Sequence, residues 1–118
     1  MLGLAACAVV AAAPVYTAGL MPGRYSMTSV GAKSPVGSVC VSDLDELYRA
    51  AHRSDGCQYF TAARTARSTR VSYDCADGSG LLTIKAVTPR TANVTASGVL
   101  ERAPYKRRLV VRRTGECG

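Results

Sequence analysis

The chain contains one histidine, His52, no tryptophan, and no two cysteines closer than 17 residues. Each shortage removes a class of chemistry. Zinc sites are usually built on close Cys-x-x-Cys pairs that place two ligands on one turn. Here the gaps between Cys40, Cys57, Cys75 and Cys117 are 17, 18 and 42 residues, so no metal site is expected. A histidine-centred catalytic relay has only His52 to draw on, and its place at the C-terminal end of a helical stretch suits a charge partner to the helix dipole. No glycine-rich loop runs into a helix, so no phosphate-cradling site and no cofactor is expected. Asp74, Asp77 and Glu116 stand singly near turns, without the paired carboxylates of general acid–base work. No catalytic residue is assigned.

Charge is missing from the first 23 residues. Residues 1–19 read as a secretory signal peptide: Leu2 to Ala13 supply the apolar segment, and its small residues before Pro14 offer cleavage after Ala12 or Ala13. The basic residue that normally precedes such a run is absent, so either the true start lies upstream or the segment is something other than a leader. A membrane anchor needs about 20 apolar residues, and Pro14, Tyr16, Thr17 and Gly19 interrupt this stretch, so no transmembrane span is expected. Leu4-Ala5-Ala6-Cys7 also matches a lipoprotein cleavage pattern, in which Cys7 would carry the lipid. The chain is therefore expected to be periplasmic or secreted, with residues 20–118 as one folded domain.

That domain is short. About 95 residues bury roughly two-thirds of their unfolded surface, which leaves a fold marginal unless crosslinks hold it. Disulfides between Cys40, Cys57, Cys75 and Cys117 supply that crosslinking in an oxidising compartment.

From Gly23 onward side chains alternate with period two. Tyr25 and Met27 alternate with Arg24, Ser26 and Thr28; Val71, Tyr73 and Cys75 alternate with Arg70, Ser72 and Asp74. Ala92, Val94, Ala96, Gly98 and Leu100 oppose Thr91, Asn93, Thr95 and Ser97. These are strands with one buried face. Short turn signals at Lys33-Ser34-Pro35, Asp77 to Gly80, Thr88-Pro89-Arg90 and Arg102-Ala103-Pro104 force antiparallel neighbours, because a parallel crossover needs a dozen residues or more. Ser42 to Arg53 breaks the period: Leu44, Leu47, Tyr48 and Ala51 recur at helical spacing, Ser42 with Asp45 opens the segment, and Gly56 closes it. The expected fold is mainly β, an antiparallel meander of about seven strands forming a curved sheet or small barrel, with one short helix that covers an edge or end of the sheet.

Four cysteines permit three pairings. A Cys40–Cys57 bridge would pin the helix and close a loop worth about 3 kcal/mol in the chain-entropy model, leaving Cys75–Cys117 at about 4 kcal/mol. Against this pairing, a strict meander puts Cys40, Cys57 and Cys75 at one end of the sheet and Cys117 at the other. Strand tilt, a bend, or one connection that is not a hairpin has to bring Cys117 round.

The net charge is +7, from 15 Lys and Arg against 8 Asp and Glu. Such an excess concentrates anions near the surface. Arg64, Arg67 and Arg70 gather around one turn; Lys106, Arg107, Arg108, Arg112 and Arg113 lie on the last strand, where only alternate residues share a face. Arg64, Arg67, Arg70, Lys106, Arg108 and Arg112 are the anion-binding candidates. Tyr59, Phe60, Tyr73 and Tyr105 fit core and rim packing better than a stacking platform for nucleic acid, a partner that an exported domain seldom meets.

Taken in order, Leu20-Met21-Pro22-Gly23-Arg24-Tyr25-Ser26-Met27-Thr28, Cys40-Val41-Ser42 leading into a helix, Gly56-Cys57, Tyr73-Asp74-Cys75 and the ending Arg112 to Gly118 resemble the bacterial domain of unknown function 3617. Tyr25 stands where that family more often has Trp. The resemblance implies a small exported, disulfide-bonded protein of mainly Gram-negative bacteria and supplies no catalytic residue. The expected function is non-enzymatic binding of an anionic envelope component or a small apolar ligand; a periplasmic hydrolase or protein inhibitor is the rival class.

Overall fold

The computed structural model describes residues 18–51 and 56–117. The alternating segments form seven strands around one helix: β1 (Gly23–Ser29), β2 (Gly37–Val41), α1 (Leu44–Ala51), β3 (Gln58–Arg64), β4 (Ser68–Cys75), β5 (Gly78–Thr88), β6 (Thr91–Leu100) and β7 (Ala103–Gly115). All pair antiparallel in a single sheet of order β2-β1-β7-β6-β5-β4-β3. The sheet is curved and does not close, since β2 and β3 form its two edges. β3 to β7 run as a meander, while the β1–β2 hairpin docks on β7. The connection through α1 therefore crosses from one edge of the sheet to the other.

Alternation decides what each strand buries. Tyr25 and Met27 of β1, Val41 of β2, Tyr73 of β4, Leu82 and Ile84 of β5, Val94 of β6, and Leu109 and Val111 of β7 join one core, completed by Leu44, Leu47 and Ala51 of α1. Each large aliphatic side chain so buried contributes about 1.5–3 kcal/mol. Ala92 and Ala96 keep β6 low on this face. Arg107, opposite Ala96 on β7, donates from Nη1 to the Ala51 carbonyl at 3.2 Å and so satisfies one of the acceptors left open at the end of the helix.

The helix starts one residue later than expected. Asp43, not Ser42, is the N-cap: its Oδ1 accepts from the Asp45 N–H at 3.2 Å, and Glu46 Oε1 reaches back to the Asp43 N–H at 2.9 Å. Glu46, rather than Asp45, is thus the reciprocal partner of a capping box. It also accepts from the Ser42 N–H and hydroxyl. His52 and Arg53, expected in the last turn, lie outside the described residues.

Two further expectations are corrected. Gly78 and Gly80 are not turn residues; they belong to β5 and pair with Leu100 and Gly98. A Cβ on Gly80 would run into the Tyr73 ring, and one on Gly98 into the backbone of Ser79 and Gly80. These positions need glycine for close approach, not for a bend.

The disulfides are Cys40–Cys117 and Cys57–Cys75, with Cα separations of 5.8 and 4.0 Å, in place of Cys40–Cys57 and Cys75–Cys117. The sheet order explains both. Arg24 lies between Cys40 on β2 and Gly115 on β7, so Cys117 ends beside Cys40. The helix carries Cys57 away to the far edge, next to Cys75 on the neighbouring strand β4. The α1 crossing is the one non-hairpin connection, and it leaves Cys40 with Cys117 at one end of the sheet and Cys57 with Cys75 at the other.

Residues before β1 fill the end of the curved sheet. Ala18 and Leu20 are buried, Met21 N–H donates to the Pro89 carbonyl at 2.7 Å, and the Tyr25 hydroxyl donates to Met21 O at 2.6 Å. The Arg113 Nε–H binds Pro22 O at 3.0 Å. Residues 1–17, which include most of the expected leader and Cys7, lie outside the described residues.

Candidate functional site: the outer face of the sheet

On β7 alternation divides the basic residues. Arg107 and Arg113 turn inward to the carbonyls already named, while Lys106, Arg108 and Arg112 turn outward and are exposed. Arg70 of β4 shares that outer face. Register places it on one row with Thr83, Thr95 and Arg108. Three strand spacings separate Arg70 from Arg108, about 14 Å. Arg24 of β1 and Lys85 of β5, which the sequence reading did not single out, lie on the same face. Arg64 and Arg67 lie apart from this group. Arg64 ends β3 at the sheet edge, and Arg67 lines a depression of about 210 Å³ with Gly19, Ala66, Thr88 and Pro89.

Between the cations the face carries hydroxyl and amide groups: Ser26 and Thr28 on β1, Asn93 and Thr95 on β6, Thr83 on β5. Of the seven strands only β4 contains a carboxylate, Asp74. The remaining described acids sit on α1 and its cap, in the β4–β5 and β6–β7 turns, and after β7. Among the described residues, Arg24, Arg70, Lys85, Lys106, Arg108 and Arg112 form no ion pair; the pair Arg49–Asp45, at 3.6 Å, belongs to α1.

The β1–β2 loop gives this face relief. Three grooves adjoin Val30. One of about 390 Å³ is bounded by Thr28, Lys33, Val110 and Arg112; one of about 280 Å³ by Asn93, Thr95 and Arg108; and one of about 410 Å³ by Lys106 and Arg108. Val30 was not among the expected site residues. The signal was nevertheless present, since Val30 continues the outward series Ser26, Thr28 by two.

The aromatics do not form one platform. Tyr59, Tyr73 and Tyr105 pack with the core, and Phe60 is exposed on the opposite face of β3. Tyr73 and Tyr105 lie on one row with Gly80 and Gly98 between them, and their hydroxyls hydrogen-bond across that gap. Burial, with this bond second, pushes the Tyr73 phenol well above the usual tyrosine range. Burial likewise raises Tyr25, against the opposing pull of Arg113 and Arg90. Tyr48 packs against Tyr59 with ring centroids 4.9 Å apart and the rings tilted by 41°.

Among the described residues no group of three or more His, Cys, Asp or Glu could hold a metal, and no helix is long and apolar enough to cross a membrane. No family model, curated protein or solved structure matches the chain.

Proposed function

We propose that this chain is an exported, disulfide-stapled domain without catalytic activity, and that it binds an anionic component of the cell envelope through its outer sheet face. One observation carries the reading: six cations that form no ion pair among the described residues share a face whose strands hold a single carboxylate. A surface arranged this way attracts anions over a distance set by ionic strength. Export is supported by the apolar N-terminal residues and by two disulfides of the kind kept in oxidising compartments. A small apolar ligand finds less support, because α1 fills the concave side with Leu44, Leu47 and Ala51, and the described depressions open on the outer face or at the N-terminal end.

The family reading belongs to the same proposal. The Leu-x-Pro-Gly-x-aromatic opening has a structural reason here: Leu20 plugs the end of the sheet, Gly23 lies too close to Arg113 and Gly115 for a Cβ, and Tyr25 ties the two segments together.

The test is cosedimentation of the oxidised domain with vesicles of anionic or zwitterionic phospholipid across a salt series. Binding to the anionic vesicles only, falling steeply with salt and lost in an Arg70→Gln, Arg108→Gln, Arg112→Gln variant, supports the reading. Absence of binding to these vesicles and to soluble polyphosphate alike would sink it.

A further inference from the structure

The outer face of β1 and β7 carries more than charge. Ser29 pairs with Leu109, and the Val30 N–H continues the ladder to the Arg108 carbonyl at 3.1 Å. Register therefore sets three pairs side by side on this face: Val30 with Arg108, Thr28 with Val110, and Ser26 with Arg112. Val110 lies between Arg108 and Arg112 on β7, and Val30 lies diagonal to it on β1, beside Arg108. Lys106 extends the row past Arg108, and Lys33 borders the groove beside Arg112.

Val30 is 61% exposed, the largest exposure among the exposed large apolar side chains. Nothing in the fold requires valine at this position: it stands outside the core cluster, and the Gly31 turn that follows has a φ of 88°. An exposed branched aliphatic side chain ringed by cations is the local chemistry of a surface that meets an anionic bilayer. Guanidinium and ammonium groups pair with lipid phosphates, and the apolar tip gains free energy by entering the region between head groups and acyl chains. A soluble polyanion would use the cations equally well but would offer Val30 nothing.

We infer that the outer face docks flat on an anionic phospholipid surface, with Val30 inserted between head groups and Lys33, Arg112, Arg108 and Lys106 on the phosphates around it. This rests on the reading above and narrows it from an anionic partner to a lipid bilayer.

The chain has no tryptophan, so Val30→Trp supplies a single emission probe at the tip. The oxidised domain carrying it is titrated with vesicles of mixed phosphatidylglycerol and phosphatidylethanolamine, and separately with phosphatidylcholine. The expected result is a blue shift and quenching by brominated acyl chains with the anionic vesicles only, while Arg49→Trp, exposed on α1 across the sheet from this face, stays unshifted. Val30→Asn, which removes the apolar tip without changing charge, is expected to weaken vesicle binding severalfold and to leave binding of soluble polyphosphate within twofold. Vesicle binding that depends on Arg108 and Arg112 but leaves the emission of the Val30→Trp variant as in water would overturn the insertion and leave the anionic face standing. Tight binding of polyphosphate with no binding to vesicles would overturn the lipid surface as partner in favour of a soluble polyanion. Loss of all anion binding would remove both readings.

Discussion

The Tyr25 side chain shows how one residue can hold several segments. Its ring is fully buried, yet its hydroxyl reaches Met21 O at 2.6 Å and Pro89 O at 3.3 Å, joining the N-terminal plug to the β5–β6 turn. Tyr25→Phe keeps the ring but takes the hydroxyl donor from Met21 O, while Pro89 O keeps the Met21 N–H, so a loss of about 1 kcal/mol is expected from denaturant unfolding. The pH dependence follows from the same burial. Tyr25, Tyr48, Tyr59 and Tyr73 all have phenols raised above the unfolded value, with desolvation as the main cause in each. A raised pKa means the folded state holds the proton more tightly, so this stabilisation is complete below about pH 10 and drains away as pH climbs through the folded values. The melting temperature is expected to fall above about pH 10 and to fall less steeply in Tyr73→Phe. Glu46 has the opposite sign: hydrogen bonds from Ser42, then Asp43, hold its carboxyl below the usual range. Its contribution is present at neutral pH and is lost as pH drops below about 4.

At the level of elements, the disulfides give the sharpest test. Non-reducing peptide mapping is expected to recover Cys40 linked to Cys117 and Cys57 linked to Cys75. The two closed loops span 77 and 18 residues. The chain-entropy model puts about 4.5 kcal/mol on the first and about 3 kcal/mol on the second, so Cys40→Ser with Cys117→Ser should cost more stability than Cys57→Ser with Cys75→Ser. Much of the element content was legible. Tyr25 and Met27, Val71 and Tyr73, and Ala92, Val94 and Ala96 could be assigned to the buried face because alternation in a strand is local. The helix stripe of Leu44, Leu47 and Ala51 was legible for the same reason. Its exact start was not, because Ser42 and Asp43 are both good caps and only the reach of Glu46 decides between them. Gly78 and Gly80 misled because glycine marks a turn and a close strand approach equally well.

Sheet order belongs to the whole molecule, and no period in the chain encodes it. Short turns dictate that β3 to β7 are successive neighbours, but nothing local to β1 says that it will pair with β7. The cysteine pairing failed with it, since the choice of partners depends on which strands share an edge. Charge segregation was half visible. The alternation on β7 separated Lys106, Arg108 and Arg112 from Arg107 and Arg113 in advance, whereas the common row of Arg70 and Arg108 needed the register of three intervening pairings. On this scale the expected outcome of replacing Arg70, Arg108 and Arg112 together by Gln is loss of vesicle binding with the melting temperature changed by no more than a few degrees, because none of the three has an ion-pair partner among the described residues.

The pairing of β1 with β7 also orders events in time. The first hairpin carries Tyr25 and Met27, and its inner edge can be covered only by residues 109–115, so a chain emerging N-terminus first holds that edge bare until the last strand has appeared. Folding is thereby postponed to a late point of emergence. The Cys40–Cys117 crosslink, which needs the same two segments side by side, can be written only after that encounter and then makes it permanent.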